Sequence, residues 1–166
     1  MFVLGIDPGL SRCGYGCVES RPEGPRAVAI GVITTPPANP LPERLAELQA
    51  ELRSLLAELR PDTVAIERVF FQVNVRTAMS VGQASGLAMA EAVAAGCEVV
   101  QYTPNQVKEA VAGHGAADKE QVQTMVQTLL GLTAPPRPAD AADAAALALR
   151  HLAYEPTRRA VARATR

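Results

Sequence analysis

Two apolar runs in this chain end in an acid. Phe2-Val3-Leu4-Gly5-Ile6 closes on Asp7, and Val64-Ala65-Ile66 closes on Glu67. A further pair, Asp140 and Asp143, stands in Ala139-Asp140-Ala141-Ala142-Asp143-Ala144, a stretch otherwise made of alanine. Segments of this kind form the interior of a small domain, so these carboxylates occupy places where apolar side chains are expected. Buried carboxylates lose their hydration and repel one another unless a cation neutralises them. A divalent-metal site answers both problems, and such a site most often cuts or transfers phosphate esters.

The length of 166 residues predicts one domain with a single sizeable core. No apolar run approaches the roughly 20 residues that span a bilayer, and Met1 leads directly into a strand-like run, not a signal peptide. The expectation is a cytoplasmic protein with no membrane association. Cys13, Cys17 and Cys97 cannot all pair, and no second ligand pair accompanies the first two, so they read as small reduced fillers. The net charge of −1 does not indicate a nucleic-acid partner. Its distribution says more, because the acids include the metal-site candidates. Residues 154–166 contain Arg158, Arg159, Arg163 and Arg166 without an apolar face, and read as a loose basic tail following a domain at 1–153.

Three strands are predicted first: 2–7, 13–18 and 27–33, whose close spacing in sequence suggests an antiparallel meander. Leu45, Leu48, Leu52, Leu55, Leu56 and Leu59 then share a helical face that Pro61 ends. A fourth strand covers 63–67, and a helix rich in small residues covers 74–95. Gly82 and Gly86 lie one turn apart on that helix, where glycine costs about 1 kcal/mol relative to alanine. They imply close approach by another backbone, within the domain or from a second subunit. A fifth strand covers 98–102. Thr103 with Gln106, and Asp118 with Gln121, form capping-box patterns that start two helices on either side of Gly113-His114-Gly115. The last helix is predicted over about 139–152. Strands followed by alternating helices and strands give an α/β fold, a mixed sheet with helices on its faces.

On the last helix Asp140 and Asp143 share a face. If the strands ending in Asp7 and Glu67 are neighbours and this helix crosses them, all four acids converge. Each acid alone has an ordinary reading: a cap for Asp140, a turn for Asp7, an ion pair with Arg68 for Glu67. Asp143 has none, and the four together are hard to explain except as ligands of magnesium, which prefers oxygen donors. Two such ions, bridged by Asp7, would suit in-line displacement at phosphorus.

Ile6-Asp7-Pro8-Gly9, Ala65-Ile66-Glu67-Arg68-Val69-Phe70, Gln106-Val107-Lys108, Ala117-Asp118-Lys119 and Ala139-Asp140-Ala141-Ala142-Asp143-Ala144 resemble, in order, the bacterial RuvC Holliday-junction resolvases. The resemblance runs from residue 2 to about 153. It implies an RNase H-like fold with a five-stranded sheet and a homodimer with two magnesium-dependent sites, each holding two Mg2+ with Mn2+ as a substitute. It further implies symmetric nicking of four-way junction DNA in recombination and repair, leaving 5′-phosphate and 3′-hydroxyl ends, and a branch-migration complex of RuvA and RuvB proteins as partner. It assigns metal ligation and catalysis to Asp7, Glu67, Asp140 and Asp143, phosphate contact to Lys108 and Lys119, and base stacking to Phe70. Arg76 is a further phosphate candidate on weaker grounds. Alone, the two lysines read as solvated charges and Phe70-Phe71 as core. Ala145-Ala146 departs from a bulkier leucine common in the family and is expected to loosen packing there. His114 reads as a loop residue. His151 lies eleven residues, roughly 16 Å, beyond Asp140 on one helix and cannot share its ion.

Two other functions fit parts of the pattern. Sugar and acetate kinases also begin with a strand carrying Asp-x-Gly, but they need a second lobe and phosphate loops that this length excludes. A non-catalytic junction-binding module would have no use for four gathered acids.

Overall fold

The run that ends in Asp7 forms the central strand of a five-stranded sheet. A computed structural model describes residues 1–68 and 75–164, the side chains at 75–77, 156 and 158–164 excepted. Strands β1 (Phe2–Asp7), β2 (Arg12–Arg21) and β3 (Gly24–Thr34) form an antiparallel meander. Helix α1 (Leu41–Leu59) leads to β4 (Thr63–Glu67), and α2 (Val75–Ala94) leads to β5 (Glu98–Tyr102). Both of these strands add parallel, giving the order β3-β2-β1-β4-β5. Helices α3 (Pro104–Ala112), α4 (Lys119–Leu129) and α5 (Ala139–Ala164) complete the chain.

Strand alternation sorts the core into two layers. Leu4, Ile6, Val64 and Ile66 pack with Leu48, Leu52 and Leu56 of α1 and Ala84, Ala88 and Ala92 of α2. Val3, Ala65 and Tyr102 pack on the other face with Val107, Val111, Val122, Val126 and Leu147 of α3, α4 and α5. Local signals fix the short helices. Thr103 accepts from the Gln106 N–H and Asp118 from the Gln121 N–H, and each glutamine side chain returns an acceptor to its cap residue's N–H. Gly113, at φ 83°, closes α3 in the left-handed region that favours glycine.

Helix α5 lies nearly in backbone contact with the sheet. A Cβ on Gly5 would collide with the Ala144 carbonyl, and one on Gly14 with the Asp140 carbonyl. One on Gly16 would come within 2.6 Å of Ala145 Cα. Ala145 and Ala146 are fully buried in this contact, so the small residues tighten the packing instead of loosening it.

One other expectation is corrected. The last helix does not stop near Leu152 but continues through Ala164, so residues 154–164 extend it. Gly82 and Gly86 meet no other backbone of the domain among the described residues, since nothing described lies within 4 Å of a Cβ at either, and of the two expected neighbours a second subunit is left. Substituting Gly5→Ala should lower stability by roughly 2–3 kcal/mol, because backbone must move to admit one methyl group. Chemical denaturation at equilibrium measures this, and a loss below about 0.5 kcal/mol would contradict the close contact.

Candidate active site

The sheet register brings the first two acids together. Ile6 pairs with Ile66 on neighbouring parallel strands, so Asp7 and Glu67 follow at the same carboxyl-terminal edge. Gly14 pairs with Asp7 from the other side, and its missing side chain lets the first turn of α5 settle there. That turn carries Asp140, with Asp143 one turn further on, both half-buried. Two neighbouring strands and a late helix thus deliver four carboxylates to one place.

Their electrostatics record the crowding. The Asp7 carboxyl is pushed up to about 8, first by burial and then by the charges of Glu67 and Asp143, a hydrogen bond with Glu67, and the charge of Asp140. Glu67 is also raised, chiefly by burial, although its hydrogen bond with Asp7 and the nearby Lys119 act the other way. Asp143 is raised by burial against the opposing pull of Lys119 and Lys108. The pattern is a crowded, half-buried acid pair with a third carboxylate against it. Cys13 lies close enough to feel Asp7 and Asp140, and its thiol is pushed up to about 12, chiefly by burial, so it stays protonated and offers no thiolate.

Two cations touch the cluster. Lys119 Nζ lies 3.8 Å from Asp143 Oδ2, and Arg12 Nε lies 3.2 Å from Asp140 Oδ2. Lys108, half-buried on α3, also acts on Asp143. The two lysines singled out in the sequence therefore do meet at one edge of the acids. Arg12 escaped the sequence reading. It opens β2 with no pattern to mark it, and only its place five residues after Asp7, across a tight turn, could have drawn notice.

Among the described residues, no three His, Cys, Asp or Glu side chains close around a point tightly enough to hold an ion as placed. Asp140 leans on Arg12, Asp143 on Lys119, and Asp7 on Glu67. The chemistry of the donor set nevertheless fits a hard divalent cation, since every available donor is a carboxylate oxygen. Phe70 lies outside the described residues, and so does the side chain of Arg76, although its backbone belongs to α2. His114 is exposed in the bend after α3. His151 is fully buried, with Nδ1 2.9 Å from the Tyr102 hydroxyl and Nε2 3.5 Å from Glu155.

The family model for crossover junction endodeoxyribonuclease RuvC matches residues 3–151. This chain belongs to the RuvC family. A crossover junction endodeoxyribonuclease RuvC from Salinispora arenicola (strain CNS-205) is 56% identical over 153 residues, covering 92% of this chain and 87% of that protein. The solved structure of Thermus thermophilus RuvC superposes with a TM-score of 0.88 at 40% identity, covering 95% of this chain and 97% of that one. The Thermus thermophilus RuvC in complex with a Holliday junction substrate gives 0.89 at 41% identity, covering 95% and 96%. The mixed sheet and its flanking helices are accordingly the RNase H-like fold of RuvC resolvases. RuvC proteins are metal-dependent hydrolases, which agrees with the acid cluster found here. No helix among the described residues is long and apolar enough to cross a membrane.

The raised Asp7 has a consequence for stability. Its folded carboxyl keeps a proton up to about pH 8, whereas its ordinary value is 3.8, so the folded state binds more protons between those limits. Stability in a chelator should therefore fall as pH rises from about 4 to 8. Asp7→Asn should remove much of that slope and gain on the order of 2 kcal/mol at pH 8. Thermal melts across pH in EDTA check this, and a variant no more stable than the parent at pH 8 would show that Asp7 is not strained.

Proposed function

We propose that this RuvC-family chain resolves four-way DNA junctions by paired symmetric nicks in recombination and repair, with Asp7, Glu67, Asp140 and Asp143 as ligands of two magnesium ions in each active site. The observation that carries the reading is the gathering of these acids at one half-buried sheet edge, where burial first and the neighbouring charges second push the Asp7 carboxyl up to about 8. Folding alone disfavours such a cluster, whereas divalent cations turn it into an attractive site. Magnesium when bound would supply an activated water and charge stabilisation for the leaving 3′ oxygen, with manganese as a substitute.

The protein's own share is positioning. Asp7 feels Glu67, Asp143 and Asp140 alike, which supports it as the ligand that would be shared between ions. Lys119 and Lys108 lie on the α4 and α3 side, where they would grip phosphates flanking the cut. Phe70 follows Glu67 by three residues and is the candidate for stacking on an unpaired base at the crossover, worth about 1–3 kcal/mol. Arg76, the second residue of α2, is a further phosphate candidate. Hydrolysis with a 3′ oxygen as leaving group yields 5′-phosphate and 3′-hydroxyl ends.

Paired nicks call for two sites, and hence a homodimer. Helix α2 offers the surface for it: Met79, Gly82, Gly86 and Val93 are all exposed on it, with Met79 at 59% and Val93 at 64%. Open glycines one turn apart let a second helix approach closely. A cytoplasmic location and delivery of the junction by a RuvA–RuvB branch-migration complex belong to the same reading.

Asp7→Asn should abolish magnesium-dependent nicking of a synthetic junction, by at least about 100-fold, while junction binding stays within a few-fold. Cleavage near the parent rate would refute the ligand assignment. Gly86→Glu should convert the dimer to a monomer in sedimentation velocity and uncouple the two nicks. A variant that still sediments as a dimer would remove α2 from the interface.

A further inference from the structure

The electrostatic balance at the site leaves a question about what attracts DNA. On the reading above, two divalent ions cancel the four carboxylate charges and leave no excess to draw in a polyanion. Attraction must then come from cations at the rim. Lys108 and Lys119 supply them on the α3 and α4 side, where Lys119 acts on both Asp143 and Glu67. The other side, at β2, holds Arg12.

Arg12 is 61% exposed, and its partner Asp140 is 26% exposed. The turn that presents it is braced. The buried Thr35 hydroxyl donates to the Leu10 carbonyl at 2.6 Å, and the Thr35 N–H donates to the Ser11 carbonyl at 3.3 Å. Arg44 of α1 donates from Nε to Thr35 Oγ1 at 3.0 Å and from Nη2 to Ser11 Oγ at 2.6 Å. Gly9 is packed against the Arg12 carbonyl, where a Cβ would not fit. The backbone at Arg12 is thereby fixed two residues before Gly14, the strand partner of Asp7, while its long exposed side chain reaches Asp140.

We propose that Arg12 binds a backbone phosphate of the cleaved strand on the β2 side of the acid cluster, opposite Lys119. The proposal rests on the junction-nuclease reading. A carboxylate engaged with a divalent ion has less charge to offer a guanidinium, so with Asp140 holding such an ion Arg12 would be available to another anion without any movement of its backbone. The planar fork of arginine matches phosphate oxygens in two-point contact. The scissile strand would then lie across the acids, held by arginine at one end and lysine at the other.

The test uses full-length protein in an Asp7→Asn background, with magnesium present, so that binding is read without cleavage. Arg12→Ala should weaken junction binding about three- to tenfold and make the slope of log affinity against log salt shallower by about one. Arg12→Lys should retain the slope, since it keeps the charge. Unchanged affinity and slope, with half-maximal cleavage shifted to lower magnesium when Arg12→Ala is made in the otherwise native protein, would make Arg12 only a counter-ion of Asp140 and overturn the proposal. If the protein with Arg12 intact shows no preference for a junction over duplex, the junction reading itself fails, and the proposal with it.

Discussion

Repulsion among four half-buried carboxylates is the constraint around which this molecule is organised. Each acid is held by a different kind of support: Asp7 and Glu67 by hydrogen-bonded parallel strands, Asp140 and Asp143 by the first turns of a helix pressed on the sheet. None of these supports can relax outward without breaking backbone pairing or the core on both faces. The two buried layers, with Leu4 and Ile6 below the sheet and Val3, Ala65 and Leu147 above, therefore hold a polar arrangement that would otherwise come apart. Strain at a site of this kind is tolerated because the surrounding structure over-determines it.

Much of this was legible in the sequence, for identifiable reasons. Short β-rich runs, two of them closed by an acid and one by a helix cap, gave β1, β4 and β5 to the residue. The two capping boxes fixed the starts of α3 and α4, since reciprocal side-chain bonds over four residues depend little on tertiary context. The acid cluster could be anticipated because charges at the ends of apolar runs are costly without a function.

What was hidden depended on contacts between distant segments. Gly5, Gly14 and Gly16 were read only as strand residues, although glycine inside a strand often marks a close backbone neighbour and the spacing of Gly14 and Gly16 puts both on one face. The pairing of Arg12 with Asp140 joins residues far apart in the chain and leaves no local pattern. The extent of α5 was missed because Pro156 and a basic composition both argue against a continuing helix, while the structure continues it to Ala164. Gly82 and Gly86 leave one of their two expected neighbours, since the described space above them is open within one chain.

The seating of α5 on bare glycines also bears on how such a protein can change over generations. Elsewhere in the interior, one hydrophobic side chain can replace another and its neighbours can shuffle to compensate. Beneath Ala144 and Asp140 there is no interdigitating layer to shuffle, because main chain rests against main chain. Sequence drift in the rest of the interior is thus mechanically insulated from the span between Asp7 and the acids of α5. A lineage can diversify most of its hydrophobic residues while keeping that span fixed.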